Sequence, residues 1–100
     1  MSAPKSSRKP EAPRPVLHIN AAYHAAPGST PEALREDAMI LNGVVEDIVN
    51  TVAHGLCNNG ELVANPNATA NILFGAYYLL QLASGAMLES HLRARDGGEA

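Results

Sequence analysis

The chain has 100 residues, a formal net charge of −3 and one cysteine, Cys57. This length fits a single domain with a small core, and a single cysteine excludes an internal disulfide. An unpaired cysteine is typical of proteins in a reducing compartment, so we expect a cytoplasmic protein.

The first fifteen residues form a basic leader. Their four cations and one carboxylate give a net charge of +3, whereas residues 31–89 have a net charge of −6. The leader is rich in proline, serine and charge, which predicts disorder over residues 1–15, and no apolar run follows it as it would in a secretory signal. The alternative role for this leader is contact with nucleic acid, although no aromatic residues lie among its cations. Those cations are Lys5, Arg8, Lys9 and Arg14.

Residues 16–20 alternate between apolar and polar side chains after a proline, which predicts a short β-strand. A lone strand leaves backbone groups unpaired, so it needs a partner, and in a dimer its own copy would supply one. Residues 21–29 contain Pro27 and Gly28 and are predicted to be a connector.

The clearest helix start follows this connector. Thr30 suits the cap position and Pro31 the first helical position, with acidic residues in the turns after them. The helix is predicted to span about residues 30–58 and to stop near Cys57–Gly60, where asparagine and glycine tolerate a left-handed cap. Apolar or small residues recur at alternating spacings of four and three, which indicates a heptad seam that packs on another helix. The seam consists of Leu34, Ala38, Leu41, Val45, Ile48, Val52 and Gly55.

A second helix is predicted over about residues 67–93, after a turn at residues 61–66 and a cap at Asn65 or Asn67. The residues after 95 are predicted to be a disordered tail. No charged residue lies between Glu61 and Glu89. Apolar side chains consequently occupy three faces of this helix, and one partner helix of equal length cannot cover them all.

Three explanations for the uncharged helix remain open. It is buried in an oligomer, it spans a membrane, or it keeps an open face for a partner or ligand. We favour the oligomer and expect no membrane, because the mainly apolar run at 72–88 has only 17 residues, is rich in glycine, alanine and serine, and is short for a bilayer. The predicted interface residues are Leu73, Phe74, Tyr77, Tyr78, Leu80 and Met87.

The sequence offers no convincing constellation for catalysis or ligand binding. His54 and Cys57 share one helical face, but a zinc site needs about four ligands and no other histidine has a suitable spacing. The adjacent carboxylates at residues 36–37 and 46–47 diverge around the helix and do not share a site. We therefore expect no enzyme, no metal and no cofactor.

Three segments of the chain form a pattern with a likeness to a known family. They are Leu17–Ile19, the helix start Pro27–Leu34, and the closing helix Tyr78–Glu89. Over about residues 16–90, this pattern resembles a small family of uncharacterised helical proteins, a domain of unknown function common in pseudomonads. The chain departs from that family at Gln81, where the family tends to be acidic. The resemblance implies a bacterial protein and no known reaction or ligand.

These observations predict an all-α protein, an antiparallel helical hairpin in a single domain at residues 16–95. We expect two copies to form a homodimeric four-helix bundle. The predicted function is non-enzymatic, acting through contact with itself and with another protein in a regulatory, scaffolding or inhibitory role. The alternative is a nucleic-acid-associated regulator that uses the basic leader.

Overall fold

The computed structural model describes residues 14–58 and 60–98. Two long helices pack against each other, α1 (Pro31–Asn58) and α3 (Pro66–Gly98), with a five-residue helix between them, α2 (Gly60–Ala64). The smallest principal extent is 15 Å, so the hairpin is one helix thick. The predicted all-α helical hairpin is confirmed.

A small β-hairpin precedes α1. Its strands are β1 (Leu17–His18) and β2 (Ala22–Tyr23), which pair antiparallel. The Val16 amide donates to the Tyr23 carbonyl at 2.7 Å and extends the pairing by one step. The predicted strand at residues 16–20 is therefore real but only two residues long. Its partner is a segment of the same chain that the sequence had suggested to be a connector.

Helix α1 begins as its cap residue predicts. The Ala33 amide donates to Thr30 Oγ1 at 3.1 Å, and the Leu34 amide donates to the Thr30 carbonyl at 3.0 Å. At the other end, the Asn58 side-chain amide donates to the His54 carbonyl at 3.0 Å. The predicted end of the helix near residues 57–60 is confirmed, since α1 ends at Asn58. No described residue has a positive φ, and Asn59, one of the residues predicted to form the left-handed cap, lies outside the described residues. The Asn58 side chain satisfies a terminal carbonyl.

The predicted turn at residues 61–66 holds the short helix α2. The Asn65 amide donates to the Glu61 carbonyl at 3.0 Å, while the Asn65 carbonyl accepts from the Thr69 amide at 3.0 Å and opens α3. Asn65 thus closes α2 and precedes the first residue of α3, Pro66. Helix α3 ends at Gly98, five residues beyond the predicted end, and residues 99–100 of the predicted tail lie outside the described residues.

The core lies along the seam between the long helices. The predicted α1 seam is confirmed, since its residues are buried or half-buried. On α3 the buried row has a seven-residue spacing and small side chains, namely Thr69, Ala76, Ala83 and Ser90. Small side chains at every seventh position let two helices approach closely.

Candidate interaction surface

The interface residues predicted from the sequence lie mostly on the surface of the hairpin. Leu73 and Leu80 are 41% and 44% exposed, and Phe74 and Tyr77 are 59% and 53% exposed. Tyr78 and Met87 are half-buried. Large apolar side chains are rarely clustered on the surface of a monomeric soluble protein, so this cluster is a candidate site of association.

Three of these residues form a row beside the core. Leu73, Leu80 and Met87 each follow a member of the buried α3 row by four positions, and they repeat every seven residues. On α1, Val49 and Leu56 follow Val45 and Val52 by four positions and are 47% and 42% exposed. In an antiparallel pair, the flanks four positions ahead of each seam lie on the same side. The five side chains of these two rows, Val49, Leu56, Leu73, Leu80 and Met87, are called the open face below.

The other side of the hairpin is covered at both ends. At one end, the backbone of Val16 lies directly on Gly85 of α3, where a Cβ atom would be 2.6 Å from the Val16 Cα. Val16 is buried there, in a small cavity that it lines with Leu34, Leu82 and Ala86. At the other end, Leu62 of α2 packs on α1. The β-hairpin reaches the edge of the open face at one point, where residues 15–18 line a depression of about 560 Å³ together with Leu80, Gln81 and Ser84. Leu80 is still 44% exposed there.

Hydrogen bonds hold the segment before α1 and the short helix α2 against the long helices. The Arg93 guanidinium donates to the carbonyls of Ala26 and Ser29 at 2.9 and 2.8 Å, which ties the segment before α1 to the end of α3. Thr69 Oγ1, itself buried, donates to the Leu62 carbonyl at 2.8 Å and holds α2. Both contacts join different elements of the fold, so the periodicity of a single helix does not predict them.

Arg14 makes a further polar contact between the N-terminal segment and α3. Its Nε donates to Glu89 Oε1 at 2.9 Å, and Arg93 Nε donates to Glu89 Oε2 at 2.7 Å. The Glu89 side chain is only 8% exposed. Hydrogen bonds from Arg14 are the main reason that the pKa of Glu89 is lowered; burial opposes them and Arg93 reinforces them. Arg14 was a candidate for nucleic-acid contact, and the structure places it on this carboxylate. The other three candidates, Lys5, Arg8 and Lys9, lie outside the described residues.

Sequence reasoning missed this ion cluster. Arg14 and Glu89 are 75 positions apart, so no local spacing connects them. The one local signal that could have indicated part of it is the position of Arg93 four residues after Glu89.

Aromatic side chains form a second exposed feature on the outer edge of α3. Ala70, Leu73, Phe74 and Tyr77 line a depression of about 410 Å³. The Gln81 side-chain amide donates to the Tyr77 hydroxyl at 2.8 Å and holds the ring in place. We call the two rings, Phe74 and Tyr77, the aromatic shelf. A fixed tyrosine beside a phenylalanine is a favourable contact for another protein.

The chemical groups of the described residues do not assemble into a recognisable catalytic or metal site. His54 Nδ1 lies 2.8 Å from the Asn50 carbonyl, and Cys57 is exposed. In the described part of the chain, no three histidine, cysteine or acidic side chains gather as metal ligands would. Every buried side-chain nitrogen or oxygen there has a hydrogen-bond partner.

Helix α3 also has the length and composition of a membrane span. It is the one helix among the described residues with that property, and 17% of its most apolar window is buried. Length and composition are weak indicators, since the core helix of a soluble protein meets the same test.

Comparison of the chain with protein-family models, with curated proteins and with solved structures found no significant match. The resemblance to the pseudomonad family therefore stays a prediction from the sequence.

Proposed function

We propose that this chain is a non-enzymatic interaction protein that works as a homodimeric four-helix bundle and binds another protein in a regulatory, scaffolding or inhibitory role. One observation carries the proposal. Helix α3 has no charged residue between Glu61 and Glu89, yet four of its large side chains in that stretch, predicted as interface residues, are 41–59% exposed. Their burial would stabilise an assembly at about 25 cal/mol for each Å² of apolar surface removed from water.

The aromatic shelf supports the second half of the proposal. Tyr77 and Phe74 point away from the contact between the long helices, because both are more than half exposed. A self-associated hairpin would keep such an edge available for a different protein. We further propose that the protein acts in the cytoplasm, where the exposed thiol of Cys57 would stay reduced.

The test is the solution mass of the full chain, measured by light scattering after size exclusion at two protein concentrations and two salt concentrations. We expect twice the mass of one chain. The mass should not fall at high salt, because the apolar side chains that would associate carry no charges for salt to screen. A mass of one chain under all four conditions would contradict the self-associating function.

A further inference from the structure

The two sides of the hairpin differ in how they are covered. The β-hairpin and α2 close the ends of one side, through Val16 on Gly85 and Leu62 against Gly55. The open face carries two parallel rows of half-exposed apolar side chains instead. A protein one helix thick cannot bury both sides by itself. The rows of the open face are one uncovered part of its apolar surface, and Met39, Ile40 and Leu88 are exposed elsewhere on the long helices.

We infer that the occupant of the open face is the open face of a second copy, so that the two hairpins stack as layers. This inference rests on the proposed function and adds to it the side of the hairpin that self-associates. It also separates five of the six interface residues predicted from the sequence into two groups, and the half-buried Tyr78 belongs to neither. Leu73, Leu80 and Met87 meet the second copy, whereas Phe74 and Tyr77 stay on the outer edge.

The spacing of the open face fits a second hairpin. Side chains that repeat every seven residues beside a first heptad row let a helix pack on two neighbours at once, as in a four-helix bundle. Leu73, Leu80 and Met87 have that spacing on α3, and Val49 and Leu56 have it on α1. A two-fold axis would bring like rows together, and an apolar row is complementary to itself.

The charge distribution also favours a second copy. No charged residue of α3 lies between Glu61 and Glu89, so the rows of α3 offer nothing that steers a charged partner. An apolar surface without charges gains most from another apolar surface of the same shape.

The side of the hairpin that carries the open face is large enough for a stable dimer. An overlap of about 28 residues is about 42 Å long, and two helices side by side are about 20 Å wide. The resulting area of about 800 Å² for each copy equals that of a standard protein–protein interface. The open face is the apolar part of this area, at residues 49–56 of α1 and 73–87 of α3, and the α1 row continues towards Pro31 with Asn42 and Arg35.

The experiment compares two full-length variants with one new charge each. Leu80→Asp places a carboxylate in the open face, and Ile40→Asp places one on the opposite flank of α1, where Ile40 is 64% exposed. We expect Leu80→Asp to weaken self-association by at least ~100-fold, because every dimer would bury two like charges. Ile40→Asp should keep the mass of the dimer. Circular dichroism should show the helix content of the wild type in both variants.

A labelling measurement avoids the new charge and the risk that it unfolds the chain. In a Cys57→Ser background, a Leu80→Cys thiol should react with a maleimide more slowly at high than at low protein concentration. An Ile40→Cys thiol should react at the same rate at both concentrations.

The outcomes separate this inference from the proposed function. Two results would show that the open face is not the dimer interface, while the dimer itself would remain supported. The first is a Leu80→Asp protein that remains a dimer, and the second is a Leu80→Cys labelling rate that is equal at both concentrations. A monomeric wild type overturns both the inference and the proposed function. If that monomer binds neutral phosphatidylcholine vesicles and Leu80→Asp does not, the face belongs to lipid. If it binds no vesicles, the face is left to a different protein.

Discussion

Alanine substitutions at two glycines of one helix should have opposite effects on the free energy of unfolding, because only one of these glycines is in contact with Val16. Both Gly75 and Gly85 lie inside α3, and a Cβ atom at Gly75 would meet nothing within 4 Å. A Cβ atom at Gly85 would lie 2.6 Å from the Val16 Cα and 2.7 Å from its carbonyl carbon. These are backbone atoms, so relief requires the whole segment to move.

The magnitudes follow from two opposing effects. Alanine in place of glycine inside a helix stabilises a protein by about 0.5–1 kcal/mol. Gly75→Ala should therefore raise the free energy of unfolding by up to about 1 kcal/mol. Gly85→Ala receives the same gain but must displace Val16, and overpacking of this kind costs about 1–3 kcal/mol. The displacement also disturbs the neighbouring contact between Arg14 and Glu89, so we expect net destabilisation of about 1–2 kcal/mol.

The assay is urea unfolding followed by circular dichroism, at one fixed protein concentration because self-association would add to the apparent stability. In a thermal unfolding scan of the same samples, about 1 kcal/mol corresponds to about 4–8 °C in melting temperature for a chain of this size, so the two variants should be well separated. Exchange of the Val16 amide, which donates to the Tyr23 carbonyl, should accelerate in Gly85→Ala alone. Equal stabilisation by both substitutions would refute the reasoning, since it would mean that the β-hairpin does not rest on Gly85.

The remaining predictions concern the polar contacts of Glu89 and Thr69 and the behaviour of α3 towards membranes. Glu89→Gln should lower the free energy of unfolding by about 2 kcal/mol at pH 7, because two guanidinium partners lose their anion, whereas Glu46→Gln at an exposed position should change it by less than about 0.5 kcal/mol. Since the pKa of Glu89 is lowered in the folded state, its contribution is complete above the ordinary carboxyl pKa and is lost as the pH falls through the lowered value. The Glu89→Gln and wild-type stabilities should thus converge in acid, and a gap that widens there would contradict the assignment. Thr69→Val removes the hydroxyl that donates to the Leu62 carbonyl and should lower the free energy of unfolding by about 1–2 kcal/mol in the same urea assay. An unchanged free energy of unfolding would mean that this bond does not hold α2 in place. If two copies associate through the open face as proposed, the wild-type protein should stay in solution when it is sedimented with neutral vesicles, because its apolar rows would be buried against each other. Co-sedimentation would favour α3 as a membrane element.

The long helices were predictable because their signals are local. The Thr30 cap and the seam from Leu34 to Gly55 depend on residues within a turn or two of each other, and the structure forms both. The end of α1 near residues 57–60 was also predictable. Predictions failed at the turn, which holds the short helix α2, and at the end of α3, which continues past Arg93, whose ion pair with Glu89 lies within the helix.

The candidate surface was predictable only in part. The missing charge of α3 is visible in the sequence, and it identified exposed apolar residues such as Leu73 and Phe74. The sequence alone did not show which of those residues share a side with Val49 and Leu56. That requires the antiparallel packing of the two helices, because a residue's side is defined only relative to a partner.

By itself, the sequence determined the class of fold, the heptad seam and the uncharged character of α3, since each follows from periodicity and composition along one helix. The tertiary structure decided where the β-hairpin lies, which side of the molecule it covers, and that Arg14 joins Glu89 across 75 positions. Such contacts depend on the folded path of the chain, and no pattern of neighbouring residues encodes them.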